Sequence, residues 1–268
     1  MLRVTRTVYF TPAELIGELV PPHLLPLIRL RHLYALDVTV AGQPDARSGF
    51  LTNVREIDRR VHEWALPHAA KTISAKQAHW PRGEQLVLLL WEALGEGDGN
   101  TASVDGCPLV RLQLTESPFL WSAYEGNSNR MVYLTRRFDF NSAHRLHNPK
   151  LDADENREIF GKCNNPSGHG HNYVLEVTVA GQPGDSGMLV QVDDLADVVK
   201  RRVVDQLDHK HLNVDVPEFK DVNSTVENIA MTIWKMLQDH IPPPAELHSV
   251  KIWETPKTYS EYFGEDKP

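Results

Sequence analysis

The segment Val38-Thr39-Val40-Ala41-Gly42-Gln43-Pro44 recurs residue for residue as Val177-Thr178-Val179-Ala180-Gly181-Gln182-Pro183. Seven identical residues in a row are not expected by chance, and the correspondence extends in both directions. Tyr34 matches Tyr173, Thr5-Arg6 matches Thr135-Arg136, Trp91 matches Trp234, and Glu116-Ser117-Pro118 matches Glu254-Thr255-Pro256. A chain repeated at this spacing is expected to fold as two related units, about one domain each. The polar stretch Glu125-Gly126-Asn127-Ser128-Asn129 separates the last strand pattern of the first copy from the first of the second, which sets the expected domains at 1–129 and 130–268. With 268 residues, 41% of them hydrophobic, each copy can bury a core of its own.

Each copy reads strand, strand, helix, helix, strand, strand. In the second, Leu134, Phe138 and Phe140 alternate as in a strand, and Tyr173, Leu175, Val177 and Val179 alternate with Val174, Glu176 and Thr178. A helix is expected from Asp193-Asp194, with Leu195, Val198, Val199, Val203 and Leu207 as its apolar stripe. Ser224-Thr225-Val226-Glu227 has the form of a capping box before Ile229, Ile233, Trp234 and Leu237, and Pro242-Pro243-Pro244 is expected to end that second helix. A last hairpin turns at Thr255-Pro256-Lys257 and returns through Tyr259. The expected class is α+β, each copy a four-stranded antiparallel sheet with two helices on one face.

Chemistry concentrates in the second copy. Gly161-Lys162-Cys163-Asn164-Asn165-Pro166-Ser167-Gly168-His169-Gly170-His171-Asn172-Tyr173 is turn-rich and runs directly into a strand. Strand parity puts His169 and His171 on one face, with Gly170 leaving the gap between them open. Two imidazoles so spaced can reach one metal ion. His144, on the parity of Phe138 and Phe140, is the best third ligand, and three ligands with an open position is the pattern of catalytic zinc. Cys163 precedes the pair, and Asp208-His209 closes the first helix as a carboxylate beside an imidazole, a combination suited to proton transfer. Asp208-His209 could instead simply end a helix, and the capping box alone could account for Glu227. Glu254, on an otherwise apolar strand face, needs a partner for its carboxylate.

A net charge of −8 and the lack of a Lys/Arg run argue against a nucleic-acid surface. The longest apolar run, Leu86 to Trp91, is too short to span a bilayer, and the N-terminus lacks the apolar core of a secretory signal. The expectation is a cytoplasmic protein without membrane partners. Two cysteines, Cys107 and Cys163, form no disulfide framework; Cys107 has no companion residues and is expected to be inert.

The second copy resembles the 6-pyruvoyltetrahydropterin synthase / 6-carboxytetrahydropterin synthase family over essentially all of residues 132 to 264. The resemblance is carried by Phe140-Asn141-Ser142-Ala143-His144-Arg145-Leu146, the Gly161–Tyr173 segment, Leu207-Asp208-His209-Lys210-His211-Leu212-Asn213, Ser224-Thr225-Val226-Glu227-Asn228 and Trp253-Glu254-Thr255. It implies tandem T-fold (tunnelling-fold) units, with Zn²⁺ held by His144, His169 and His171. Cys163, Asp208 and His209 would form the proton-transfer set, and Glu254 would anchor a pterin ring with Glu227 and Thr225 nearby. The implied reaction converts 7,8-dihydroneopterin triphosphate to 6-pyruvoyltetrahydropterin with loss of triphosphate. The alternatives are the 6-carboxytetrahydropterin synthase of queuosine biosynthesis, acting on the same substrate, and a non-catalytic pterin-binding or scaffold protein. Five residues separate Cys163 from His169, as in the pyruvoyl-forming branch. The family joins sheets side by side across subunits with active sites between them, so a homo-oligomer is expected, three tandem chains giving six units.

The first copy departs from this pattern. Glu14 stands for His144 and Leu30 for His169, only His32 remains opposite His171, the cysteine loop is missing, and Pro67 replaces Asp208 although His68 remains. Glu84 and Glu116 match Glu227 and Glu254. The first copy is therefore expected to bind no zinc and to be inactive alone.

Overall fold

The computed structural model describes residues 1–16, 33–75, 82–95, 102–126, 128–184 and 186–264. The chain divides into two compact units, Met1–Leu134 with Ala180–Leu189, and Thr135–Val179 with Val190–Pro268.

In the first unit β1 (Leu2–Phe10), β2 (Tyr34–Gly42), β4 (Cys107–Ser117) and β5 (Leu120–Tyr124) are neighbours in that order, and the short β3 (Ser103–Val104) adds to β4. The β1/β2, β2/β4 and β4/β5 pairs are all antiparallel. Tyr34, Leu36, Val38 and Val40 are buried along β2, as the period of two requires. Helix α1 (Pro12–Ile16) follows β1; α2 (Val54–Arg60) continues through a π-helical turn, Val61–Ala65, into α3 (Leu66–Ala75); and α4 is Gly83–Gly95.

In the second unit the order is β6 (Val132–His144), β7 (His169–Gly181), β9 (Glu246–Thr255), β10 (Thr258–Tyr262), with β8 (Lys210–His211) parallel to the end of β6. The helices are α5 (Ala153–Phe160), α6 (Val192–Val199), α7 (Asp205–Leu207), α8 (Leu212–Asp215) and α9 (Val226–Leu237). The class is thus α+β, antiparallel sheet with helices.

Both long helices meet the same geometric demand. Ile57, Val61, Ala65, Ala69 and Ile73 are buried at every fourth residue, as are Leu195, Val199, Val203 and Leu207. An α-helix turns once per about 3.6 residues, so a strict fourth-residue stripe rotates away from the surface it covers. A π-helical turn widens the helix locally and brings the stripe back. Each unit has one, at Val61–Ala65 and at Lys200–Val204.

Matched residues also make matched contacts. Thr5 and Thr39 share a hydroxyl hydrogen bond of 2.8 Å, and Thr135 and Thr178 share one of 2.9 Å. Trp91 meets Tyr124 edge-on at 4.9 Å, and Trp234 meets Tyr262 edge-on at 5.5 Å. Gly126 (φ 68°) and Gly264 (φ 89°) lie against those two tryptophans, where a Cβ would come within 2.5 and 2.7 Å of the ring.

Four expectations are corrected. The cap of α9 is Thr225, whose hydroxyl accepts from Asn228 N, and the Ser224/Glu227 capping box does not form. Ser224 is buried and its hydroxyl donates to Asn213 Oδ1, while Glu227 is exposed. Helix α9 ends at Leu237, before the prolines, in a turn closed by His240 N to Leu237 O. Helix α5, which the strand-and-helix pattern omits, is capped by a complete box from Asp152 and Glu155. In the first unit Pro12 opens α1, so Glu14 sits on a helix where the second copy has a strand. Leu30 and His32 lie outside the described residues.

Candidate active site

Three elements converge on one point. His144 is the last residue of β6, and its side chain is buried with Phe140 and Ser142 on one face. His169 and His171 open β7, next to β6 in the sheet. One ring nitrogen from each of the three histidines can be chosen so that all lie within 4.8 Å of one another. The rings stand 4.5, 5.1 and 4.9 Å apart.

The protonation pattern follows from the neighbours. His144 Nδ1 donates to the Ser224 carbonyl at 2.7 Å, which leaves Nε2 with a free lone pair. That Nε2 lies 3.1 Å from His169 Nε2 and 3.4 Å from Glu254 Oε1. His171 Nε2 is 3.7 Å from the same carboxylate oxygen, buried and without a hydrogen-bond partner. Burial pushes the His144 imidazole down to about 4, against the opposing pull of the Ser224 carbonyl, and burial with His171 nearby lowers His169 too. Imidazole nitrogens converging beside a carboxylate form an electron-rich cluster that a cation would satisfy. The donor set therefore fits a metal ion, and His144, His169 and His171 could hold one.

The backbone around Cys163 is tied to the residues that follow His144. Leu146 N donates to the Cys163 carbonyl at 2.9 Å, Asn164 Nδ2 to the Leu146 carbonyl at 2.7 Å, and Arg145 Nε to the Asn164 carbonyl at 3.1 Å. Residues 163–164 are thus pinned to the two residues after His144. Asn156, fully buried, donates to the carbonyls of Asn148, Leu151 and Asp152 and holds the other end of the loop.

The Asp208–His209 pair is formed. Asp208 Oδ1 accepts from Asn141 N at 2.8 Å and Oδ2 pairs with His209 Nδ1 at 2.7 Å. The Asn141 N–H, then the His209 partner, holds the Asp208 carboxyl below its ordinary range. His209 has a left-handed backbone (φ 56°), and its ring is 79% exposed. Among the described residues, no hydrogen bond or ion pair joins this pair to Cys163 or the three histidines. His209 and His171 do line a common shallow cavity of about 400 Å³ together with His211.

The remaining expected site residues divide. Glu254, on β9, faces the histidines with a side chain 20% exposed. Thr225 is committed to its cap, and Glu227 is exposed on the first turn of α9. Sequence reading missed the Ser224 carbonyl, the Arg145–Asn164 clamp, Asn156 and His211. Only α5 had a signal, in Asp152-x-x-Glu155.

The first unit builds a different place. Glu14 accepts from Thr11 N and lies 3.3 Å from His62. Glu84 is buried, accepts from Leu189 N at 3.2 Å, and has its carboxyl pushed up chiefly by burial. Cys107 Sγ donates to the Leu51 carbonyl, and burial raises its thiol.

The family model described as 6-pyruvoyl tetrahydropterin synthase matches residues 133–265. The human 6-pyruvoyl tetrahydrobiopterin synthase is 43% identical over 143 residues, covering 53% of this chain and 98% of that one. The chain belongs to the 6-pyruvoyl tetrahydropterin synthase family. The match falls on the second half of the chain, which carries the histidine cluster. A 6-carboxy-5,6,7,8-tetrahydropterin synthase from Haemophilus influenzae is 29% identical, covering 49% of this chain and 99% of that one. The solved 6-pyruvoyl tetrahydropterin synthase of Caenorhabditis elegans is 42% identical, with a TM-score of 0.49, and covers 50% of this chain and 96% of that one. Among the described residues, no helix is long and apolar enough to cross a membrane.

Proposed function

We propose that the second copy is a zinc-dependent lyase that converts 7,8-dihydroneopterin triphosphate to 6-pyruvoyltetrahydropterin with elimination of triphosphate. The observation that carries this reading is the convergence of His144 Nε2, His169 and His171 with the Glu254 carboxylate, on a chain whose Cys163 carbonyl accepts from Leu146 N, two residues after His144. The three imidazoles of His144, His169 and His171 suit Zn²⁺, which would supply Lewis-acid polarisation of a substrate oxygen. Cys163 removes and returns carbon-bound protons, the Asp208–His209 pair serves as the exchanging acid/base, and Glu254 accepts from the N–H edge of the pterin with Thr225 and Glu227 at its margin.

The reading of two tandem T-fold units, split near residue 129, is supported by the matched threonine pairs, tryptophan contacts and π-helical turns. Glu14 on a helix supports a first copy that binds no zinc and is inactive alone. The proposed assembly is a homo-oligomer, three chains giving six units. It is supported by β1 and β10, the end strands of the two units, which expose Leu2, Tyr9 and Tyr259. A stable monomer by size exclusion with light scattering excludes it.

The runner-up is the 6-carboxytetrahydropterin synthase reaction of queuosine biosynthesis, favoured by the Haemophilus relative. Incubating zinc-loaded protein with 7,8-dihydroneopterin triphosphate separates the readings. The pyruvoyl product without acetaldehyde supports the first, and acetaldehyde supports the second. No turnover leaves a pterin-binding or scaffold protein. The proposed location is the cytoplasm.

A further inference from the structure

Where α6 and its π-helical turn pass α9 in the second unit, a cavity of about 1080 Å³ stays unfilled. Val198, Arg201, Arg202 and Gln206 line it from the first helix, and Asn228, Met231, Thr232 and Lys235 from α9. Each set follows the three- and four-residue spacing of a single helix face. The core is built by other faces, the buried Leu195, Val199 and Val203 and the buried Ile229, Ile233 and Leu237. The groove residues are therefore spare.

Three permanent cations, Arg201, Arg202 and Lys235, face one carboxylate, Glu218, in a chain whose net charge is −8. Arg201 Nε donates to the Asp197 carbonyl of its own helix, and the neighbouring Lys200 is taken by Asp205. Among the described residues, Arg202 and Lys235 form no ion pair or side-chain hydrogen bond. Like charges around one cavity repel, and an anion placed between them turns that repulsion into attraction.

The first unit shows what the fold does without such a groove. Trp64 follows the buried Val61 by three residues, as Arg202 follows Val199, and its indole N–H bridges to the Ala93 carbonyl of α4 at 3.0 Å. Glu63 stands beside Trp64 as Arg201 stands beside Arg202, and Glu92 follows Trp91 as Lys235 follows Trp234. Glu63 and Glu92 are paired with Arg59 and Arg130. An indole and two acids thus occupy the positions where the second unit has open space and three cations.

We infer that this groove of the second unit binds a small molecule carrying two or more linked phosphate groups. Guanidinium forks match phosphate oxygens, and three cations suit more than one phosphate charge. The volume is that of a small-molecule pocket. Met231 and Met236 supply an adaptable apolar wall for a base, if the ligand is a nucleotide. None of His144, His169, His171, Cys163, Asp208, His209 or Glu254 lines the groove, so the inference stands apart from the proposed reaction.

The test is equilibrium dialysis of the full chain against inorganic tripolyphosphate, ATP or a hexaglutamate peptide. Saturable binding of a phosphate compound is expected, weakened about tenfold by Arg202→Ala and lost at one site per chain when Arg201→Glu is combined with Lys235→Glu. That pair copies acids the first unit already carries, and circular dichroism checks that it folds; Arg202→Ala decides alone if it does not. His169→Ala should leave this site unaltered. Equal binding of both phosphate compounds assigns recognition to the phosphates, and ATP binding at least about tenfold tighter assigns a nucleotide. No saturable binding up to about 5 mM, groove variants within about twofold of wild type, loss of all binding in His169→Ala, or tightest binding of hexaglutamate overturns the inference.

Discussion

Gly168 and Gly170 flank His169, yet they should respond oppositely to a single methyl group. Gly168 has φ of 72°, and a Cβ there would lie 2.7 Å from His211 Nε2 and 2.9 Å from the His144 carbonyl oxygen. The histidine side chain can give way, but the carbonyl belongs to the backbone of a proposed metal ligand. A left-handed non-glycine residue costs about 1–2 kcal/mol and overpacking about 1–3, so Gly168→Ala should cost about 3 kcal/mol. A Cβ on Gly170 meets only the Ser142 carbonyl at 3.6 Å, an ordinary contact, and its backbone lies outside the left-handed region. Gly170→Ala should therefore cost less than about 1 kcal/mol. The assay is thermal unfolding of zinc-loaded protein followed by far-UV circular dichroism, paired with chelator competition for the metal. Gly168→Ala should lower the Tm by roughly 6–12 °C and weaken metal binding about tenfold by shifting His169. If Gly168→Ala stays within about 0.5 kcal/mol of wild type, or if Gly170→Ala costs as much, the placement of this turn against His144 is wrong.

Three other outcomes are expected. Cys163→Ala should lower turnover by about a thousandfold or more, while metal content measured by mass spectrometry stays at the wild-type level. Thr225→Ala should cost about 1 kcal/mol in urea unfolding by loss of the α9 cap, whereas Glu227→Gln, exposed and outside the cap, should change stability by less than about 0.5 kcal/mol. Glu84 has a folded-state carboxyl raised above its ordinary 4.5, chiefly by burial, so the stability it contributes is full below that value and is lost as pH rises through the folded value. Glu84→Gln should thus be the more stable protein at neutral pH and show no such advantage below about pH 4. Equal urea midpoints at both pH values would contradict the buried placement of Glu84.

Residues whose roles depend on local periodicity were legible. Strand parity alone put His144 on the face of Phe140, and put His169 and His171 on a common face, because alternation across a strand is set by the backbone itself. The identity of residues 38–44 with 177–183 was equally plain, since identity in sequence needs no coordinates. Misreadings arose where a residue had two possible uses. Ser224 fits a capping box by spacing, but its hydroxyl donates to Asn213 Oδ1, while its carbonyl serves His144, eighty positions earlier, and the cap passes to Thr225. In the first copy, Pro12 turns the chain into a helix and removes Glu14 from the position of His144.

Sequence by itself therefore determined the α+β class and which half carries the histidines and the cysteine, because these rest on patterns spanning a few neighbouring residues. Only the tertiary structure decided how the His144 tautomer is set by Ser224, how Asn156 and Asn164 hold the Cys163 loop, that the His209 ring is exposed, and that the Tyr173 hydroxyl is buried unpaired. Those depend on partners far apart in the chain, and only folding brings them within the few ångströms over which hydrogen bonds act.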